Sequence, residues 1–427
     1  MKTDTLARVS TQPQAGGAPR GAAAAMPPLI VVVLLALLLG LQPVTTDVVL
    51  PALPALQADL GASMHQVQMT FAALMLAFGV SQLAWGPLSD RLGRRPVLLA
   101  GMGAYVLASL ACVVAPTMPL LILARIAQGA AMGAAVMCAR AIVRDLYPPL
   151  EGARMMSKGL SGLGAIAIVC APLGGLMAAW LHWRAAFAVL GVFGIGTLAV
   201  LALRFRETNA APNPHALAPR TLWRSWTCIA RHPTFIAYSL LATSSYVGLF
   251  TFLAASSFVL IEALGLSQLA YGAIMAGLSA LYIVGTVACR RLLPRWGLRR
   301  TVAVAGGLTF TAGVLMAALA WFGWGRPWYG AWALVLPQAL FILAHGVHQP
   351  VGQSGTVAPF PRMAGAASAL NGFIMMAAAF PVGLWLGRAM DGTARPLALG
   401  FGLACMVVAF TAWTLVQRHG QPDPEPA

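Results

Sequence analysis

Apolar stretches of about twenty residues recur along the chain and are separated by short polar segments. A helix that crosses the hydrocarbon core of a bilayer needs about 20 residues of this kind. The pattern predicts about twelve membrane-spanning helices, and it lacks the alternating ten-residue segments of a β-barrel. The predicted spans are roughly residues 29–53, 66–88, 96–116, 118–146, 157–181, 184–205, 233–261, 269–293, 300–323, 328–350, 363–388 and 396–417.

Composition supports lipid as the solvent of this chain. Of its 427 residues, 59% are hydrophobic and only 9% are charged, and the mean hydropathy is +0.79. A water-soluble globule needs a polar surface that such a composition does not supply. The predicted fold class is therefore an all-α membrane protein.

The basic residues are distributed unevenly between the two sides of the predicted membrane. Net charge is +16, and with the N-terminus inside, twenty-two Lys and Arg residues fall on the inner side against four on the outer side. This bias predicts that both termini are cytoplasmic. Because membrane topology accounts for the positive net charge, we expect no nucleic-acid partner.

The longest polar interval after the N-terminal tail divides the predicted spans into six and six. Its second part, TLWRSWTCIARH, predicts a short helix on the inner membrane surface, anchored by Trp223 and Trp226. The predicted units are a disordered cytoplasmic tail over 1–28, an N-terminal six-helix bundle over 29–206, a cytoplasmic linker over 207–232, a C-terminal six-helix bundle over 233–418 and a cytoplasmic tail over 419–427.

A charged loop, GPLSDRLGRRP at residues 86–96, follows the second span and has a copy in the second half. The copy, PRWGLRR, begins 204 residues later at Pro294, which replaces Asp90, and it carries Leu298 in place of Arg94. Two related six-helix halves with a substrate site between them are the pattern of secondary transporters.

The side chains of this loop predict a conformational latch. Glycines permit a tight turn and close helix approach, and Arg94 or Arg95 can reach an acid at the inner end of the fourth span. The alternative is a loop whose positive charge only sets topology, which explains the arginines but not Asp90. The candidate latch residues are Gly86, Asp90, Arg91, Gly93, Arg94, Arg95 and Asp145.

Asp47 is the one acid that maps inside a predicted span, and Arg125 is its basic counterpart. Each lies about 30 Å from the inner face, at 1.5 Å rise per residue, so the first and fourth spans can bring them together. A carboxylate in hydrocarbon usually serves a function, and we interpret the pair as a proton-coupling site. A structural ion pair and a deeper helix boundary remain alternatives. Prolines four and seven residues after Asp47 predict a kink or a helix end there.

Other polar residues in the spans are candidates for the lining of a substrate cavity. Two histidines lie one turn apart near the predicted inner end of the tenth span, but no acid or cysteine accompanies them, so we expect no metal site. For each candidate an interhelical hydrogen bond is the alternative. The candidates are Gln82, Gln128, Tyr246, Tyr282, Gln338, His345, His348 and Asn371.

Several blocks of sequence resemble a known family. GPLSDRLGRRP resembles the signature loop of the major facilitator superfamily, and TTDVVLPALPALQADLG, RIAQGAAMGAA with RDLYP, HWRAAF, FVLIE and PFPRMAGAASAL resemble its bicyclomycin-resistance (Bcr/CflA) drug-efflux branch. The resemblance implies drug:proton antiport, with loop contacts that hold the halves closed on the cytoplasmic side. The fifth span departs from the family's antiporter signature, because Ala171 precedes Pro172 and the glycines come one place early at Gly174 and Gly175.

The sequence-based conclusion is a proton-coupled exporter of small, partly apolar organic molecules in the bacterial inner membrane. The sequence contains no Walker motif, GxSxG or HExxH. We therefore expect neither an ATP-driven pump nor an enzyme, and no cofactor. Its expected partners are a small-molecule substrate, protons and the lipid bilayer, and we expect a monomer. The alternatives are an uptake symporter for a small organic solute and a non-transporting membrane sensor.

Overall fold

The computed structural model describes residues 26–210, 212–214 and 216–420, and every regular element in these ranges is helical. Most of the two predicted tails lies outside the described residues. The elements are α1 Pro28–Asp47, α2 Leu53–Asp59, α3 Met64–Leu92, α4 Arg94–Val114, α5 Met118–Leu146, α6 Pro149–Trp180, α7 Trp183–Arg204, α8 Pro219–Ala230, α9 Pro233–Ser257, α10 Gln268–Phe322, α11 Trp332–Val357, α12 Ala364–Ala389, α13 Arg395–Trp413 and α14 Leu415–His419.

Eleven helical stretches in the described residues are long and apolar enough to cross a membrane. One of them, α10, has 55 residues, and its backbone is non-helical at Gly297, where φ is 73° and ψ is 168°. The predicted spans 269–293 and 300–323 fall on either side of this glycine. The predicted apolar windows therefore agree with the observed helices, and the number of spans depends on how α10 is counted.

The two bends that the sequence repeat marks have the same backbone conformation. Gly93 is the only residue between α3 and α4, with φ 97° and ψ 161°, and Gly297 stands 204 residues later with a closely similar pair of angles. Only glycine adopts this region without strain. The predicted loops are thus single-glycine bends between helices.

The first span is broken rather than continuous. α1 ends at Asp47, a 3₁₀ turn follows over Leu50–Ala52, and α2 begins at Leu53. Pro51 lies in the 3₁₀ turn and Pro54 in the first turn of α2. Proline is favourable at such positions because it fixes φ and because the N–H group that it lacks would have no helical partner there. The break predicted from these prolines is confirmed, and the apolar stretch as a whole runs from Pro28 to Asp59.

Two pairs of helices join the first half of the chain (α1–α7) to the second half (α9–α14). α3 packs along α12, and α6 packs along the part of α10 before Gly297. Small residues allow the close approach: a Cβ added at Gly272 of α10 would lie 2.8 Å from the carbonyl oxygen of Ala171 on α6. These two helix pairs therefore form the main contacts between the halves.

The predicted linker helix is present as α8, which begins two residues earlier than the sequence pattern suggested. The two tryptophans predicted as membrane anchors have different surroundings. Trp223 is 68% exposed, but Trp226 packs into an apolar cluster with Ile229 and Phe360. Only one indole is therefore available to the surroundings.

Candidate functional site

Asp47 lies at the break of the first span, as the last residue of α1. This is where the two following prolines predict a kink or a helix end. The backbone there is confined by α6, because a Cβ added at Gly174 would collide with the carbonyl group of Val48, the residue after Asp47. The break after Asp47 therefore requires a glycine at position 174 of α6.

The Asp47 carboxylate is half-buried, and one hydroxyl is its described hydrogen-bond donor: Thr46 Oγ1 donates to Asp47 Oδ1 over 2.7 Å. Cys170 of α6, Tyr246 of α9 and Tyr271 of α10 lie within electrostatic range of it. The turn after Asp47 also contacts α9 and α10. The carboxylate is therefore placed where the first half meets the second.

Arg125 does not pair with Asp47. Its guanidinium is 1% exposed, and Nη1 donates to Gln128 Oε1 over 2.7 Å and to the carbonyl oxygen of Thr45 over 3.2 Å. No ion pair within 4 Å involves Arg125 among the described residues. The two residues lie at similar depth, since Thr45 is two residues before Asp47, but the direct contact that the sequence left open is not formed.

The ring of Phe187, 5.5 Å from the Arg125 guanidinium carbon, completes the surroundings of this cation. Gln128 is fully buried and uses both ends of its amide, because Nε2 donates to Ser109 Oγ over 2.8 Å. The interhelical hydrogen bond described as the alternative for Gln128 is therefore formed. Its amide joins α5 to α4 and fixes the position of Arg125.

Two of the other cavity candidates lie where the first half meets the second. Gln82 of α3 abuts Gly372 of α12, and the hydroxyl of Tyr246 contacts Met75 Sδ at 3.3 Å across the same boundary. Gln338 is fully buried with neither amide atom hydrogen-bonded, and Asn371 has an unpaired Oδ1. Buried amide atoms without partners are costly, so Gln338 and Asn371 remain candidates for contact with a bound solute.

The two histidines of α11 serve different neighbours. His345 Nδ1 lies 2.8 Å from Ser245 Oγ of α9 and its ring is 5.6 Å from that of Tyr282, whereas His348 Nε2 lies 3.1 Å from Thr309 Oγ1 of α10. His345 is at the middle of α11, and the predicted position near its inner end is wrong. The interhelical hydrogen bonds described as the alternative are therefore formed by both side chains.

At the predicted cytoplasmic end, the guanidinium of Arg94 joins three helices. Its Nη1 is 2.6 Å from Asp90 Oδ1 and its Nε is 2.9 Å from Asp145 Oδ2, and the side chain is 3% exposed. Arg144 Nη2 reaches the same Asp90 oxygen at 3.6 Å. These contacts connect α3, α4 and α5, so they lie within the first half rather than between the halves.

The remaining latch candidates have different surroundings. Arg91 is exposed, and Arg95 Nε donates to the carbonyl oxygen of Phe205 over 3.1 Å, just after α7. Gly86 lies in α3, where a Cβ would be 3.4 Å from Met137 Cε of α5. Of the seven candidates, the structure brings Asp90, Arg94 and Asp145 into one ion-pair network.

Glu207, which the sequence did not single out, completes this network. Its Oε1 accepts hydrogen bonds from the backbone nitrogen atoms of Arg94 and Asn209 over 2.8 Å and of Thr208 over 3.0 Å, and its Oε2 accepts one from that of Arg95 over 2.9 Å. Burial alone would raise the pKa of Glu207, but the backbone donors outweigh it and lower the pKa below its ordinary value. The carboxylate caps α4 and ties it to the start of the linker.

Two arginines of α5 provide the contacts across the halves at this end. Arg140 Nη1 donates to Ser368 Oγ of α12. One turn later, Arg144 Nη1 would lie 3.3 Å from a Cβ added at Gly365. Since Arg144 also contacts Asp90, the ion-pair network reaches the second half through α5.

The sequence matches the Major Facilitator Superfamily over residues 35–383. The chain belongs to this superfamily of transporters. It is 31% identical over 340 residues to multidrug resistance protein D of Escherichia coli, with 79% of this chain and 83% of that protein covered. A bicyclomycin resistance protein homolog of Haemophilus influenzae is 26% identical, with 88% and 93% covered. The resemblance to the drug-efflux branch is thus confirmed.

Solved structures of the superfamily share the fold. An inward-open structure of a xylose transporter from E. coli matches with a TM-score of 0.73 at 14% identity, covering 91% of this chain and 96% of that one. With its apolar helices and these relatives, the chain is a multi-pass protein of the bacterial inner membrane.

Proposed function

We propose that this member of the major facilitator superfamily is a proton-coupled exporter of small, partly apolar organic molecules, working by alternating access as a drug:proton antiporter. The observation that carries the proposal is the position of Asp47. A carboxylate at a helix break, bonded to one hydroxyl and followed by a turn that contacts α9 and α10 of the other half, can gain and lose a proton as the halves move. The resistance names of its relatives favour export.

In this proposal the chain has twelve spans, because α10 crosses the membrane twice and bends at Gly297. Residues 29–206 and 233–418 form the two six-helix bundles, residues 207–232 form the cytoplasmic linker, and both termini are cytoplasmic. The positive charge at the Gly93 end supports this orientation. We expect a monomer, since the site lies between the halves of one chain.

Arg125 acts on Asp47 through the backbone rather than as a counter-ion. By holding the carbonyl of Thr45, it fixes the last turn of α1 and hence the direction of the carboxylate. The absence of a direct ion pair leaves Asp47 free to bind a proton or a cationic group. Substrate contacts are assigned to the unsatisfied amides of Gln338 and Asn371, with Gln82, Tyr246 and Tyr282 on neighbouring helices.

The ion-pair network around Arg94 is assigned the role of a brace in alternating access. It holds the inner ends of α3, α4 and α5 as one block, so that the contacts of Arg140 with Ser368 and of Arg144 with Gly365 break and form together. Discrete rearrangements of such packed blocks are the usual means of transport switching.

The test is drug uptake by inverted membrane vesicles with an imposed pH gradient, acidic inside. We expect wild type and Glu151→Gln, an exposed acid of α6, to accumulate substrate. Asp47→Asn should lose accumulation but retain binding, because its side chain cannot release a proton. Ligand-induced proton release from purified protein gives a second readout.

Unchanged proton release in Asp47→Asn would place the proton carrier elsewhere. Accumulation in right-side-out vesicles with an inward proton gradient would favour the uptake symporter. Binding without transport in either direction would favour the membrane sensor. The three outcomes are distinct in the same panel of vesicles.

A further inference from the structure

The linker helix α8 presents two different faces. One face packs on the second half: Ile229 is fully buried and, with Trp226, contacts a cluster that contains Phe360, Ala367 and Leu370. α8 touches α9 and α12 through this face. Its position relative to the inner end of α12 is therefore fixed by apolar packing.

The opposite face of α8 is basic and carries one exposed indole. Arg220, Arg224 and Arg231 are exposed, and Trp223 is 68% exposed. At 100° per residue these side chains, together with that of Cys228, fall within an arc of about 140°. None of the ion pairs found in the described residues uses these arginines, and the sequence from 208 to 232 contains no acid.

This face lies beside the start of an apolar helix that is long enough to cross a membrane. α8 ends at Ala230, and the apolar helix α9 begins three residues later at Pro233. Indoles favour the boundary between hydrocarbon and water, and guanidinium groups bind phosphates through paired hydrogen bonds. An arc of three guanidinium groups beside one indole is thus complementary to an anionic lipid surface.

We propose that the exposed face of α8 binds the headgroups of anionic phospholipids of the cytoplasmic leaflet, and that this binding steadies the inner end of α12. The second part rests on the proposed function. The buried face of α8 contacts Ala367, and the next residue, Ser368, accepts the hydrogen bond of Arg140 from the other half. A lipid that immobilises α8 therefore acts on the α12 turn that closes the cytoplasmic end.

A native cysteine allows a test of the first part of the proposal, the binding of anionic headgroups by α8. Cys228 is exposed on the lipid-binding face, and the other five cysteines are buried. Purified full-length protein is labelled at Cys228 with a small fluorophore and placed in nanodiscs of phosphatidylcholine. Brominated phosphatidylglycerol or brominated phosphatidylcholine is then included at equal mole fraction as the quencher.

We expect quenching by the anionic lipid to be at least about twofold stronger, and inorganic phosphate to leave it unchanged. The variant Arg220→Gln/Arg224→Gln/Arg231→Gln should lose the preference. The control Arg290→Gln/Arg291→Gln/Arg295→Gln should keep it, because it removes the same charge from exposed positions at the same end of the molecule but outside α8. Each variant is first checked for a single symmetric peak in size-exclusion chromatography.

Equal quenching by the two lipids would overturn the proposal, and so would a loss of preference in both triple variants, which indicates a general effect of surface charge. Displacement of the quenching by inorganic phosphate would show a site for free anions instead of lipid. Transport by proteoliposomes with and without phosphatidylglycerol tests the second part. If the transport rate does not depend on phosphatidylglycerol while the quenching preference persists, lipid binding to α8 does not affect α12. The lipid-binding site and the proposed transport activity would both stand.

Discussion

Replacement of Glu207 by glutamine tests whether this carboxylate holds the first half together at its cytoplasmic end. The carboxylate accepts four backbone hydrogen bonds, two of them from the first residues of α4. α4 has no other cap, since Gly93 supplies no side chain. Glutamine has one acceptor oxygen. At least the hydrogen bond from the backbone N–H of Arg95 is therefore lost, and the NH2 group of the glutamine then faces that N–H group.

The magnitude follows from these bonds. A hydrogen bond to a charged group contributes about 1.5–3 kcal/mol, and loss of a helix N-cap costs about 1 kcal/mol. Because Glu207 is only partly buried, water compensates part of the loss. We expect Glu207→Gln to destabilise the protein by about 1–2 kcal/mol, which lowers the melting temperature of a unit of 150–250 residues by about 2–4 °C per kcal/mol.

The pH dependence gives the prediction its sign. Although burial opposes it, the pKa of Glu207 is lowered in the folded protein from its ordinary 4.5 by the backbone donors. A lowered pKa means that the stabilisation is present above about pH 4.5 and is lost as the pH falls through the folded value. The difference between wild type and Glu207→Gln should therefore be full at pH 7 and shrink below pH 4.5.

The assay is thermal unfolding of detergent-solubilised protein followed by intrinsic tryptophan fluorescence from pH 4 to pH 8. Glu151→Gln is the matched control, because this acid is exposed in the first turn of another helix, and it should melt within about 1 °C of wild type. Equal melting temperatures of wild type and Glu207→Gln at pH 7 would refute the assignment of Glu207 as the cap of α4.

The other predictions concern the bends and the orientation. Gly93→Ala should cost more stability than Gly297→Ala: both suffer the strain of positive φ, about 1–2 kcal/mol, but only at Gly93 does a Cβ meet a neighbour, 2.7 Å from Glu207 Oε2, whereas nothing lies within 4 Å at Gly297. Equal melting temperatures of the two variants would contradict this account. In intact cells an impermeant maleimide should leave the exposed Cys228 unlabelled and label Arg326→Cys in a background without Cys228, and the reverse pattern would invert the proposed topology.

The sequence predicted the spans well because the hydrophobic requirement of a bilayer acts on each helix separately. It also predicted the break after Asp47, since Pro51 and Pro54 act locally. It did not identify the partner of Arg125. A buried guanidinium has five donors. That of Arg125 contacts a carbonyl, an amide and an aromatic ring instead of a carboxylate, and its Nε has no described hydrogen-bond partner. Sequence depth alone does not choose among such partners.

Glu207 was missed for a related reason. Its main partner, Arg94, is 113 residues away, and an acid at the end of a helix resembles ordinary surface charge. One signal was available: α4 begins directly after a glycine, so its first N–H groups need an acceptor from elsewhere. Arg140 was counted only among the twenty-two basic residues of the inner side, because its direction towards α12 is set by the packing of the two halves.

The two glycine bends share a backbone conformation but differ in stiffness. Around Gly93, a buried guanidinium bonded to two acids and a capping carboxylate resist any change of angle between α3 and α4. Around Gly297 the described contacts include no ion pair. The hydroxyl of Thr301 donates to the carbonyl of Gly297, the amide of Gln417 donates to that of Arg299, Arg300 lies over the ring of Trp296, and Leu298 packs on an apolar cluster. When the inner ends of the helices move, α3 and α4 therefore move together as one rigid unit. The angle between the two parts of α10 on either side of Gly297 changes more easily.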